Sequence, residues 1–263
     1  MLALAAMPML ASTSNAKDRN FPKKKAGTVR IVQYNVGVFN KTEQASAKMV
    51  ADMMTELGAD AVSLNELDSC ATRTGKRYQL KDFADAMGGW DYTYAAAMPF
   101  QGGAYGVGVA SERDMIGTYT VHLPKSDGTE PRALAVAEFK NYVVASTHLD
   151  FKTTRSQLDQ MDVINDWVER HYGKSGKPFI LCLDANATPD SKTMKTVEKK
   201  WTIHTTTKFT YSAQNPKKCI DYIMVYKNGA KYKFVQTFNP MVFEKGDVKL
   251  ASDHLPLFVD FKF

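Results

Sequence analysis

The sequence predicts a strand-rich α+β chain, with two stacked sheets and helices on the outside. Three observations carry this. Ten short runs rich in Val, Ile, Tyr and Phe read as strands. Helical periodicity separates only some of them. That ratio is too strand-rich for a strict βαβ repeat, which would build a doubly wound parallel sheet. With 263 residues, 44% of them hydrophobic and 24% charged, the chain has the composition of a globular domain able to bury a large core.

Residues 1–16 run from an apolar stretch into Ser14-Asn15-Ala16 without a charge. This is the pattern of a secretory signal that lacks its basic start, so export to the periplasm or medium is expected, with cleavage after Ala16. Residues 17–27, including Lys23-Lys24-Lys25, form a solvated lead-in, and 28–263 form one domain, since neither an internal repeat nor a linker interrupts them. The expected strands cover 30–36, 60–66, 91–97, 104–110, 133–139, 142–149, 178–184, 219–226, 233–238 and 255–261. Helices are expected over 42–57 (Met49, Val50, Met53 and Leu57 on one stripe, Gly58 as stop), 79–87 (Leu80, Phe83, Ala84, Met87) and 154–172 (Leu158, Met161, Ile164, Val168). A short fourth begins near Asp190, after Pro189. No later run approaches the ~20 apolar residues that span a bilayer, so no transmembrane segment is expected.

Cys70, Cys182 and Cys219 are too few and too unevenly spaced for a disulfide scaffold or a zinc cluster. Cys182, inside FILCLD, reads as a buried small hydrophobe. Export would permit a Cys70–Cys219 bridge. The formal net charge of +6 favours anionic partners, but solvated lysines explain it equally well.

Six polar signals lie against the strand-like runs: QYN, NELD, STHLD, LDAN, CIDYI and ASDHLP. They place Asn35, Glu66, His148, Asp184 with Asn186, Asp221, and Asp253 with His254 at strand ends or openings, where they can converge on one sheet edge. Glu66 alone is an ordinary loop acid. Next to Asn35 on an adjacent parallel strand it becomes a candidate ligand for a hard cation, which takes one or two carboxylates, waters and a substrate phosphate. Asp184 and Asn186 leave a run apolar enough for a central strand; they suit holding a water and a phosphate oxygen, and an Asx turn before Thr188-Pro189 accounts for them equally. His148 and His254 have carboxylates beside them in sequence, whereas His122, His171 and His204 do not and are expected at the surface or at helix ends. A histidine bonded to an aspartate is fixed in one tautomer and suits a general base; a satisfied core histidine is the other reading of His148. Acids, amides and two histidines from six strands suit metal-assisted phosphoester hydrolysis.

The ordered set QYNVG, LNELD, STHLD, LDANATPDS, IDYIMV and ASDHLP resembles the endonuclease/exonuclease/phosphatase superfamily, with its DNase I-like fold, over about residues 30–263. GGAYGVGVAS and Glu130-Pro131-Arg132 resemble its middle strands. The resemblance implies a four-layer sandwich: two mixed, mainly antiparallel sheets face to face, flanked by helices. It implies Mg²⁺ (Mn²⁺ or Ca²⁺ as substitutes) on Glu66, Asn35 and Asp253, with His254 as general base oriented by Asp221. Asp184 and Asn186 would position water and phosphate, His148 would donate to a phosphate oxygen or assist the leaving group, and Arg132 would be a cation on the phosphate side. The sequence departs from the family at Leu183 and Ala185, in a segment that is usually Gly-Asp-Phe-Asn, and at Gly37, where some nucleases carry an acid. Neither departure removes a catalytic group.

The implied function is a metal-dependent phosphodiesterase or phosphatase acting on a small-molecule, lipid-headgroup or nucleic-acid phosphoester. A DNA or RNA nuclease is the first alternative and would use Arg73, Lys76, Arg77, Lys217 and Lys218 as a basic groove. A catalytically silent phosphoester-binding module is the second. A small-molecule enzyme would instead be walled by loops 70–79 and 99–106. No stable protein partner is implied, and a monomer is expected.

Overall fold

The computed structural model describes residues 21–39, 46–128 and 130–263. The expected export signal and the first residues of the helix expected over 42–57 lie outside the described residues. In chain order the strands are β1 (Val29–Asn35), β2 (Ala61–Ser69), β3 (Asp91–Phe100), β4 (Gly103–Ser111), β5 (Gly117–Leu123) and β6 (Arg132–Glu138). They continue as β7 (Val143–His148), β8 (Phe179–Asp184), β9 (Trp201–Ile203), β10 (Asp221–Tyr226), β11 (Lys233–Phe238) and β12 (Leu257–Lys262). The helices are α1 (Ala47–Leu57), α2 (Gln79–Ala86), α3 (Thr154–Tyr172), α4 (Lys192–Val197) and α5 (Val248–Ala251).

The strands form two six-stranded sheets, ordered β11-β12-β1-β2-β4-β3 and β5-β6-β7-β8-β10-β9. Each is mixed: β1 runs parallel to β2 and β7 parallel to β8, and the remaining pairs are antiparallel. Strand parity explains how they stack, because successive side chains point to opposite faces. Val32 and Tyr34 of β1 pack outward with Val50, Met53, Met54 and Phe83 of α1 and α2. Leu181 and Leu183 of β8 pack outward with Met161, Ile164 and Val168 of α3. Between the sheets lie Ile31, Ala61, Val144, Ile180, Cys182, Ile223 and Val259. The result is the expected helix–sheet–sheet–helix sandwich. Helix α1 starts at Ser46, whose side chain accepts the Met49 N–H, and stops at Gly58 at φ 67°, a left-handed turn that glycine adopts without Cβ strain.

Three elements escaped the sequence. Strand β5 is an exposed edge whose Thr, Tyr and His positions blur any alternation. Strand β9 has three residues, and α5 is one turn capped by Asp247, whose carboxylate accepts the Lys249 N–H. The structure also answers two points that the sequence raises. All three cysteines are free, with Cys70 exposed and Cys219 buried, so no Cys70–Cys219 bridge forms. His204 is half-buried rather than fully at the surface: it stacks on Phe234 at 5.1 Å, its Nε2 lies 2.9 Å from the Tyr232 hydroxyl, and burial lowers its pKa.

Candidate active site

The parity that fills the inter-sheet space with aliphatic side chains also builds the site. Following the inward positions toward one end of the sandwich, Ile31 gives way to Gln33 and Asn35, Ala61 to Ser63 and Asn65, Val144 to Ser146 and His148, and Ile180 and Cys182 to Asp184. On β10, which runs the other way, Val225 and Ile223 lead back to Asp221. The pairings then converge: Asn35 faces Asn65 across the parallel β1–β2 pair, His148 faces Asp184 across β7–β8, and Asp221 faces Asp184 across β8–β10. Asp184 is the common neighbour.

Two residues reach the cleft through left-handed backbone. Glu66 does not follow a strand as its sequence suggests; it lies within β2, where a bulge between Leu64 and Leu67 interrupts the pairing with β4, and its φ is 56°. A bulge re-aims one side chain out of the alternation, and non-glycine residues in this region concentrate at functional sites. Asn186, at φ 48°, donates its backbone N–H to Asp184 Oδ1 at 2.9 Å. The Asx turn is therefore present, and it seats the Asn186 amide 2.8 Å from His148 Nε2 and 3.0 Å from the Leu149 carbonyl.

The Asn35 amide nitrogen donates to Glu66 Oε1 at 3.1 Å and to Asp184 Oδ2 at 2.9 Å, and lies 3.4 Å from His254 Nε2. Its amide oxygen, the atom a metal would use, accepts the Gly37 N–H. His254 Nδ1 is 2.9 Å from Asp221 Oδ2, and its Nε2 is 3.6 Å from Asp184 Oδ2. His148 Nε2 is 3.4 Å from the same Asp184 oxygen. Glu66, His148, Asp184, Asn186, Asp253, His254 and Arg132 line one cleft of about 710 Å³. Arg132 is almost wholly buried, its Nη2 is 2.8 Å from Glu130 Oε1, and its Nε has no partner. Burial first, then the Glu66 charge, raises the pKa of the Tyr105 phenol well above its usual value, so Tyr105 stays a donor at the cleft wall.

Sequence reasoning missed the layer beneath. Gln33 donates to the Asn65 amide oxygen and lies 3.3 Å from Asp221 Oδ1. Ser63 bridges Gln33 and Ser146 at 2.8 Å each, and Asn65 donates to Ser146 Oγ and to the Thr147 carbonyl. Ser252 donates to the Asn35 carbonyl at 2.7 Å and accepts the His254 N–H at 3.1 Å. A signal existed: Gln33, Ser63, Asn65 and Ser146 are polar residues at inward parity in runs that are otherwise apolar.

Electrostatics mark the site as short of positive charge. Burial, then the nearby Asp221 carboxylate, pushes the Asp184 pKa upward, against the lowering effects of His254 and the Asn35 bond. Burial acts to lower the pKa of His254, but Asp221, Asp184 and Asp253 outweigh it and lift it to about 9. Ligand atoms of Asp184, Asp221 and His254 lie within 4.8 Å of one another. Asp184, a buried acid that resists ionisation, thus lies beside a second carboxylate, Asp221, and a divalent cation held in the same cleft by Glu66 and Asp253 would offset charge that the protein leaves unbalanced.

A model of one known family matches residues 32–254, the Endonuclease/Exonuclease/phosphatase family. The chain belongs to that family. No curated protein sequence matches it. Among solved structures, an endonuclease/exonuclease/phosphatase protein from Bacteroides vulgatus is 17% identical, with 90% of this chain and 99% of that one covered at a TM-score of 0.73. The catalytic domain of human Nocturnin, with a bound sulfate, is 16% identical over 96% and 100% of the chains at 0.71. A mannosyl-6-phosphatase from Bacteroides thetaiotaomicron is 16% identical over 89% and 100% at 0.68. At these identities the likeness is one of fold.

Of the basic residues expected of a nucleic-acid groove, some are paired with carboxylates outside the cleft and another lines it. Arg73 is held by Asp68 at 2.7 Å and lies over the Phe100 ring, and Arg77 is held by Asp82 at 2.7 Å. Lys218 lines the cleft, together with Lys152.

Proposed function

We propose that this protein is a Mg²⁺-dependent phosphoester hydrolase that uses a water nucleophile and a His-Asp general base. The observation that carries this reading is the His254–Asp221 pair: Nδ1 is engaged at 2.9 Å, while Nε2 faces Asn35 and Asp184 inside the cleft. Asp221 fixes the tautomer that leaves Nε2 able to accept a proton. A water held by Asp184 and Asn186 gives that proton to Nε2 as its oxygen bonds to phosphorus and the opposite P–O bond breaks. Arg132, whose Nε is unpartnered, donates to the phosphate oxygens as negative charge builds; Asn186, whose amide reaches His148 Nε2 and the Leu149 carbonyl, holds His148 on that side of the cleft, where it assists the leaving oxygen. Glu66 and Asp253 would hold Mg²⁺ through their carboxylates, and Asn35 orients Glu66 and Asp184 through its amide nitrogen. When bound, the ion supplies Lewis-acid polarisation of the phosphoryl group.

A compact phosphoester fits better than duplex DNA. Of the cations that a nuclease would aim at the backbone, Arg73 and Arg77 are tied to Asp68 and Asp82, and Lys218 is the one that lines the cleft. The fold hosts a mannosyl-6-phosphatase in Bacteroides thetaiotaomicron, which is in keeping with such a substrate. The test is turnover of p-nitrophenyl phosphate, bis(p-nitrophenyl) phosphate, and single- and double-stranded DNA with Mg²⁺, with chelator and after His254→Ala. Activity that survives the chelator or the substitution sinks the mechanism, and a preference for duplex DNA returns the nuclease reading.

A further inference from the structure

The catalytic groups account for the floor of the cleft but leave one feature at its mouth unexplained. Phe151 is 59% exposed, and it lines the same cleft as His148, Asp184 and Arg132. A lone exposed aromatic is ordinary; this one is held in place. The preceding Asp150 is fully buried, and its Oδ1 accepts the N–H groups of Lys152 at 2.8 Å and Thr153 at 2.9 Å. The Asp150 N–H donates to Gln160 at 2.9 Å, and its carbonyl accepts from Gln157 at 2.9 Å. Thr153 then caps α3 by accepting the Ser156 N–H. The turn is pinned on both sides of residue 151, so its ring stands in solvent beside the site three residues after His148. Rigid aromatic contacts of this kind bind at low entropic cost.

Around Phe151 the cleft is lined by Ile220, Tyr211, Lys152 and Lys218, and among the described residues no carboxylate forms an ion pair with either lysine. The volume of about 710 Å³ falls in the range of pockets that hold drug-sized molecules (about 300–1,000 Å³), well beyond a phosphate group.

We propose that Phe151, with Ile220, Tyr211, Lys152 and Lys218, forms a leaving-group subsite that selects phosphoesters carrying a ring, stacking it on the Phe151 face while the lysines hold its hydroxyl or further anionic oxygens. This rests on the hydrolase reading above. The shared chemistry is a flat or C–H-rich ring face, which either a pyranose or a nucleobase supplies.

The experiment compares affinities of the Mg²⁺-loaded protein, by calorimetry, for glucose 6-phosphate, adenosine 5′-monophosphate, the open-chain glucitol 6-phosphate and inorganic phosphate. A ring phosphate should bind wild type about 5- to 100-fold more tightly than glucitol 6-phosphate. Phe151→Ala and Phe151→Leu should erase that ratio, and Phe151→Trp should keep it. A stronger effect for adenosine 5′-monophosphate assigns the ring to a base, and a stronger effect for glucose 6-phosphate assigns it to a sugar. Equal affinities for cyclic and open-chain phosphates in wild type overturn the proposal, as does a ratio unchanged in Phe151→Ala, or a loss in that variant shared equally by inorganic phosphate. Wild type that keeps the ratio but turns over neither p-nitrophenyl ester with Mg²⁺ refutes the hydrolase reading and leaves the subsite standing.

Discussion

Asn65 accepts the backbone N–H of Asp184 through its side-chain oxygen at 3.1 Å, a bond from one sheet to the other directly beneath the cleft. The same amide donates to Ser146 and to the Thr147 carbonyl, so one fully buried residue sets the spacing of β2, β7 and β8 where the catalytic groups emerge. Replacing it leaves several buried partners unsatisfied, each worth about 1–3 kcal/mol. Asn65→Ala should therefore lower unfolding free energy by about 2–4 kcal/mol in urea titration and reduce kcat, although Asn65 touches no substrate. A fully active variant would remove this residue from the positioning network.

Asp184 should show a conflict between stability and function. Burial and Asp221 hold its pKa above the usual carboxylate value, so the folded chain keeps a proton that the unfolded chain has released. Its ionisation costs stability, beginning as pH rises past the ordinary carboxylate range and reaching full size above the raised folded pKa. In chelator at pH 8, Asp184→Asn should raise unfolding free energy by about 1–3 kcal/mol, while activity with Mg²⁺ falls by about 10²-fold or more. Thermal melts and initial rates on the two proteins decide it.

His254 titrates with the opposite consequence for its own variant. Its folded pKa of about 9 exceeds the usual 6.5, so its contribution to stability is complete below about pH 6.5 and is lost as pH rises through about 9. Without metal, the stability gap between wild type and His254→Gln should be widest near pH 6 and close by pH 10. Because the base must be neutral, kcat should rise with pH, and added Mg²⁺, by opposing the carboxylate charges, should move that rise to lower pH. Asp221→Asn should shift the rise in the same direction and lower its plateau about 10²- to 10⁴-fold.

A charge pair remote from the cleft supplies the contrast. Arg30 and Asp260 are both fully buried, with Nε to Oδ1 at 2.7 Å and Nη2 to Oδ2 at 2.8 Å, and Arg30 also donates to the Leu57 carbonyl at 2.7 Å. Asp260→Ala should cost about 3–5 kcal/mol by stranding the guanidinium. Its kcat, measured per folded molecule, should stay within about twofold of wild type, since Arg30 sits at the end of β1 away from Asn35.

Long-period and strand-end signals were legible in the chain. The stripe of Met53 and Leu57, the apolar run before Asp184 and the polar motifs around His148 and His254 all reflect local rules, a period of 3.6 or 2 and a polar residue where a strand ends. Glu66 was found by its neighbours, but its left-handed backbone inside β2 was not, because a bulge depends on which strand pairs alongside. The edge strand β5 was missed for the complementary reason: with one neighbour and an exposed face it needs little hydrophobic pattern.

By itself the sequence determined the two-sheet class and the identity of the residues offered at the strand ends, since these follow from the order of side chains along a pleated or helical backbone. Only the tertiary structure decided which of them meet. Asp221 reaches His254 and Asn65 reaches Asp184 through strand order, register and the distance between two sheets. Those are set by packing summed over residues far apart in the chain. The same packing turned Arg73 toward Asp68 and left Phe151 facing the cleft.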